Sequence, residues 1–201
     1  MKRAVAAVCC GIAALLVAAC DGGTSEGGPA ESSAAPSPTQ LKLAVSVPPA
    51  PAQRNQGRQD VTFDPCFKLD DVTIERAGYD PRTRKRKDFI ADGYSALGCE
   101  FTRKEQGLLM GSLVTSSSNL TLDEYKNRYA SSATTTSVAS REAVTYQLPG
   151  DSTNTTCFLA MKATDGVLQL QLDVNKARAA DRPCDLIRST AESIEPSLPR
   201  V

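Results

Sequence analysis

The chain contains no histidine and no tryptophan, and only five tyrosines and five phenylalanines in 201 residues. Without histidine it lacks the commonest metal ligand and the side chain that titrates closest to neutral pH. Ser-His and Cys-His nucleophilic catalysis and His-ligated metal centres are therefore excluded. A charge excess is absent as well, since 23 basic residues balance 23 acidic ones. A chain without a net basic field is not built for nucleic acid. Nor is there an apolar run long enough for a lasting membrane span, which needs about 20 residues. The stretch from Ala4 to Ala19 has only sixteen.

That stretch reads instead as a secretory signal over residues 1–19. Lys2 and Arg3 precede it, Ala18 and Ala19 end it, and a polar run opens at Cys20-Asp21-Gly22-Gly23. Val17-Ala18-Ala19-Cys20 resembles the bacterial lipobox, in which a lipid is attached to the Cys thiol and the peptide is cut just before it. The likeness implies a palmitate-type lipid on Cys20. It also implies attachment to the cell membrane, with the rest of the chain on the extracytoplasmic face.

Of seven cysteines, Cys9 and Cys10 fall in the signal and Cys20 in the lipobox, which leaves Cys66, Cys99, Cys157 and Cys184. An even number in an exported domain argues for two disulfides, with three connectivities open. Their spacings of 33, 58 and 27 residues are too wide for the paired hooks of a zinc site or a Cys-x-x-Cys redox motif. Neither a metal nor another cofactor is implied.

Residues 20–60 are rich in Gly, Ser, Ala and Pro and are expected to be a disordered tether. Residues 61–201 suit one domain. Asp64-Pro65 predicts a helix start, with Gly78 as its stop. Tyr94 to Arg103 and Leu108 to Thr115 read as a hairpin about Glu105-Gln106-Gly107. Thr121 to Glu124 is a capping box opening a helix through Tyr129. A further strand fits Ala143 to Leu148, and a second hairpin turns at Asp165-Gly166 between Thr156–Ala163 and Val167–Val174. In its second strand, Val167, Leu168, Leu170, Leu172 and Val174 are expected on one face. A last helix runs from Pro183 to about Ile194. The expected fold is α+β: an antiparallel sheet of about five strands with helices packed on one face and two disulfides.

Asp64-Pro65-Cys66, Gly98-Cys99 followed by Phe101, the helix from Leu122 to Tyr129, Cys157 opening a strand, and Pro183-Cys184-Asp185 together resemble one family. It is the actinobacterial lipoprotein family called domain of unknown function 3558, and the likeness covers about Phe63 to Ile194. Phe101 stands where that family tends to carry Trp. The resemblance implies a cell-surface lipoprotein and no particular activity.

Cys66 and Cys184 each open a helix, while Cys99 and Cys157 lie in strands. Bonds from Cys66 to Cys99 and from Cys157 to Cys184 would each staple a helix start to the sheet. The crossed pairing, Cys66 with Cys157 and Cys99 with Cys184, stays open at this level. Arg82, Arg84, Lys85, Arg86 and Lys87 form a basic run read as a loop between helix and sheet, a candidate contact for anionic lipid or acidic wall polymer. Asp80, Asp88 and Asp92 flank the run, which favours a solvated loop. The pairs Asp70–Asp71 and Asp123–Glu124 have the composition of an acid–base couple. Both also suit helix N-termini, where carboxylates meet free N–H groups.

The reading favoured is a noncatalytic binding or interaction module, with a cell-envelope protein or wall polymer as partner. A carrier of small hydrophobic or lipid molecules and a carboxylate-based envelope enzyme are the alternatives. Cys20→Ser is expected to abolish lipid modification of the full-length protein. Detergent-phase partitioning checks it: a variant that still enters the detergent phase with wild-type mobility overturns the lipobox reading.

Overall fold

The computed structural model describes residues 43–150, 152–178 and 182–201. The signal expected over 1–19 and the lipidation residue Cys20 lie outside them. Asp64 caps α1 (Pro65–Lys68), accepting from the Cys66 N–H at 3.0 Å. Asp70 caps α2 (Asp71–Arg76), accepting from the Thr73 N–H at 2.7 Å. The single helix expected here is therefore two, broken because Leu69 turns extended so that Asp70 can cap afresh. Gly78, at φ +89°, ends the second as expected.

The strands are β1 (Asp80–Arg86), β2 (Phe89–Ile90), β3 (Ser95–Glu105), β4 (Leu108–Ser118), β5 (Thr134–Val138), β6 (Arg141–Tyr146), β7 (Thr156–Ala163) and β8 (Gly166–Val174). Between them lies α3 (Leu122–Arg128), and α4 (Pro183–Ile194) follows β8. All eight strands form one antiparallel sheet in the order β1-β3-β4-β8-β7-β6-β5, with β2 also paired to β3. This exceeds the expected five. β2 is too short to show a pattern, β5 hides in a Ser/Thr tract, and β1 is the basic run itself, a strand rather than a loop.

On one face, α1, α2 and α4 bury Cys66, Leu69, Ile74, Ile187, Ala191 and Ile194 against Phe101, Leu113, Leu159, Met161, Leu170 and Leu172. On the other, α3 lays Leu122 and Tyr125 over Val144, Tyr146, Phe158, Ala160 and Val167. Helices thus cover both faces, because the apolar alternation of β6 and β7 is two-sided. Cys157, Leu159 and Met161 face one layer, while Phe158 and Ala160 face the other. Val167 likewise belongs to the α3 layer and not with Leu168 and Leu170, as the strict period of two requires.

Disulfides join Cys66 to Cys99 and Cys157 to Cys184, the pairing that staples each helix start to the sheet. Closing loops of 33 and 27 residues corresponds to about 3.5 kcal/mol each by chain entropy.

The domain begins before Val61, so the tether boundary is corrected toward the N-terminus. Val47 sits in the main core, and the Ala44 N–H donates to Asp71. The Gln53 side chain both donates to and accepts from the Val61 backbone at 2.9 Å. Arg58 forks onto both carboxylate oxygens of Glu124 at 2.6 and 3.1 Å and also donates to the Gly93 and Asn119 carbonyls. Asp165 accepts from the Thr62 and Phe63 N–H groups at 2.8 and 2.7 Å. An extended arm is thus tied along the sheet by side chains, which supply partners that no strand offers.

Arg58, and then the Thr121 backbone, hold the Glu124 carboxyl down at about 2, from an ordinary 4.5. Because the folded value lies below the unfolded one, this clamp contributes stability above about pH 4.5 and loses it as pH falls toward 2. Glu124 is a third exposed, so solvent screening limits the contribution to about 1 kcal/mol. The stability difference between wild type and Glu124→Gln is therefore expected to be constant above pH 5 and to vanish near pH 2. Urea denaturation across that range checks it, and a difference independent of pH would assign the effect to packing alone.

Candidate functional site

The basic run is a period-two strand whose inward side is charged. Arg84 has a side chain with no solvent exposure. It donates to the Cys66 and Leu69 carbonyls at 3.1 and 2.9 Å and to Asp71 at 2.7 Å, and it stacks 5.0 Å from the Phe101 ring centroid. Arg86 is nearly as enclosed and bridges Asp88 at 2.7 Å and Asp64 at 2.9 Å. Those contacts, Asp88 foremost, raise its pKa further. Arg84 and Arg86 are therefore corrected from candidate surface contacts to internal ties. Arg82 is exposed but pairs with Asp80 at 2.9 Å, leaving Lys85 and Lys87 exposed on the run. Three of the five cations, Arg82, Arg84 and Arg86, are paired with Asp80, Asp71, and Asp64 and Asp88, which leaves the anionic-surface reading the two exposed lysines, Lys85 and Lys87.

Where Arg82 ends the run, an open cleft of about 470 Å³ sets Asp71, Glu75 and Asp80 against Arg82, Arg103 and Lys104. α2 supplies two of its acids and β3 two of its bases, brought together because α2 packs against β1 and β1 pairs with β3. Nothing local in the sequence joins these residues. Alternating sign across a cleft this open suits a charged, extended partner surface, not an enclosed small molecule.

The carboxylate pairs do not face one another. Asp70 caps α2 while Asp71 holds Arg84. Glu124 completes the capping box with Thr121, and Asp123 lies exposed beside Lys126 at 3.5 Å. Of the Ser/Thr-rich stretches, Thr115 to Ser118 lies in β4 and Ser131 to Ser137 runs into β5.

Titration points the same way. Hydrogen bonds from Thr73, Arg82 and Arg58 lower Asp70, Asp80 and Glu124 respectively. Burial raises Tyr79 to about 12 and lifts Tyr125 and Tyr146 further. These shifts move groups away from neutrality, opposite to what a general acid or base needs. Among the described residues no three Cys, Asp or Glu side chains are grouped to hold a metal.

Between the sheet and α1, α2 and α4 the space is filled by large side chains, including Phe101, Leu69, Ile74, Met161, Ile187 and Ile194, all with under 2% exposure. Further clefts of about 330 and 290 Å³ open at the Asp165–Gly166 turn and at the start of α4, both on mixed polar and apolar residues.

In comparisons with known proteins, the family model described as a protein of unknown function (DUF3558) matches residues 15–197. No curated protein and no solved structure matches the chain.

Removing Arg84 leaves Asp71 and two helix-end carbonyls without their buried donor. Arg84→Ala is expected to cost about 3–5 kcal/mol in urea denaturation. The double change Lys85→Gln with Lys87→Gln should stay within about 0.5 kcal/mol. Equal losses from the two would show that the run acts as one surface patch.

Proposed function

The chain belongs to the DUF3558 family, and we propose that it is a membrane-anchored extracytoplasmic lipoprotein whose domain is a noncatalytic interaction module. The anchor rests on the lipobox at Cys20, and the exported location on the signal before it and the paired cysteines after it. The single observation that carries the noncatalytic reading is how the candidate carboxylates are engaged: Asp70 caps a helix, Asp71 holds Arg84, and Glu124 is shared between a capping box and Arg58. Where a carboxyl or phenol is clearly perturbed, it moves away from neutral pH, and each perturbed carboxyl serves a cap or an ion pair. The filled interior argues against the carrier reading, since a carried lipid needs apolar side chains left uncovered by the core. The partner that suits the mixed-charge cleft beside β1 is a protein or wall-polymer surface bearing both signs of charge.

Native mass spectrometry of the lipidated protein released gently from membranes separates these readings. The expected mass is that of the polypeptide with its own covalent lipid. A stoichiometric noncovalent lipid would transfer the protein to the carrier class. Crosslinking in whole cells should then capture a partner through Arg82 or Lys104, and capture unaffected by reversing those charges would place the partner elsewhere.

A further inference from the structure

The two disulfides are unequally protected. Cys66 and Cys99 are both fully buried, under α1 and in β3. In the second bond Cys157 is fully buried in β7, but Cys184 is exposed at the second position of α4, after Pro183. Cys184 also lines the open cleft of about 290 Å³, together with Gln147, Asn154, Arg182 and Asp185. A nucleophile in that cleft meets the exposed half-cystine of one disulfide.

We propose that Cys184 is a thiol–disulfide exchange site, opened by a dithiol that enters this cleft, while Cys66–Cys99 is a permanent cross-link. A thiolate of the dithiol attacks the Cys184 sulfur and forms a mixed disulfide there. The Cys157–Cys184 bond breaks, and its electron pair leaves on Cys157. That sulfur takes a proton from water, since its enclosure favours the neutral thiol. The Tyr146 carbonyl, 3.9 Å away, is its acceptor. The second thiolate of the dithiol then displaces Cys184, so the dithiol is oxidised to a disulfide and the protein's bond is reduced by two electrons. The departing Cys184 thiolate sits at the N-terminus of a twelve-residue helix beside Arg182, and both stabilise negative charge.

The chemistry stays local. Ile187, Ala191 and Ile194 remain buried against the sheet, and Arg141 ties the end of α4 through Glu195 at 2.7 Å. Opening the bond frees the first turn of α4 and leaves the rest in place.

The test uses the oxidised full-length protein in detergent, reduced glutathione as a monothiol probe, an alkylating quench and peptide mapping. Glutathione is expected on Cys184 and the alkyl label on Cys157, with Cys66 and Cys99 reacting about ten-fold slower or less. Arg182→Glu should slow the Cys184 reaction and Asp185→Asn should speed it, each about two-fold, because an exposed charge near the sulfur acts on an anionic attacker. The Cys66–Cys99 rate should not change in either variant. Glutathione on Cys157, equal rates for the two bonds, or indifference to both charge changes would overturn the proposal, the last being the signature of opening through global unfolding.

Discussion

Arg84 carries a full positive charge on a side chain wholly withdrawn from water, and the arrangement of the β1 half of the domain follows from satisfying it. Desolvating such an ion costs several kcal/mol, which its two terminal nitrogens offset by meeting partners, while Nε meets none among the described residues. Its partners come from three separate elements: the carbonyls at the end of α1, the Asp71 carboxylate at the start of α2, and the Phe101 ring of β3. The break between α1 and α2 is therefore a binding site for the guanidinium as well as a turn. The disulfide from Cys66 to Cys99 links the same α1 to the same β3, so charge and covalent bond impose one geometry. Arg86 repeats the device one pleat along, between Asp64 and Asp88.

This also explains which elements the sequence betrays. Caps and turns act through neighbouring residues, and they were legible: Asp64, the Thr121–Glu124 box, the Asp165–Gly166 turn and Pro183 all start or join elements where expected. Strands with apolar alternation were equally clear, β8 above all. β1 was not, because its inward positions are arginines, and an inward arginine and a solvated one look alike until the carboxylates that meet it are placed in space. The extended arm before Val61 was hidden for a related reason. Gln53, Arg58 and Asp165 hold it from up to 103 residues away, and a Pro-rich composition contains no trace of such partners. Of the candidate site, the basic residues could be named from sequence, but the acids that face them across the cleft could not.

The second face of the sheet shows how a chain without tryptophan builds an additional core. Tyr94, Tyr125, Tyr129 and Tyr146 gather there with Phe158. Tyr129 stacks on Tyr146 at 4.0 Å and Tyr146 on Phe158 at 5.1 Å, giving offset ring contact in place of one large indole. Tyr125 sends its hydroxyl to Gln169 at 2.8 Å, which marks the edge of the apolar patch. Beyond it the sheet face becomes polar, with Thr156, Ser112 and Gln171 all donating to Asp173. One half of this face is thus covered and the other solvated, a division that antiparallel sheets permit and parallel ones rarely do.

The two edges of the sheet consequently differ in kind. At the β1 edge, buried charge, buried disulfide and arm overlap, so that several independent bonds hold the same elements. On the half of the sheet toward β5, α4 packs over β7 and β8 on apolar side chains and on Arg141 at its end, where that enclosed guanidinium also donates to the Lys162 and Pro199 carbonyls at 3.2 and 2.7 Å. Only its first turn depends on a bond that faces solvent, and among the described residues neither a side-chain cap nor a buried ion pair reinforces that turn. Local opening costs least where the fewest buried groups are lost. In this fold that place is the start of α4, and the domain can change there while the charged cleft beside β1 keeps its shape.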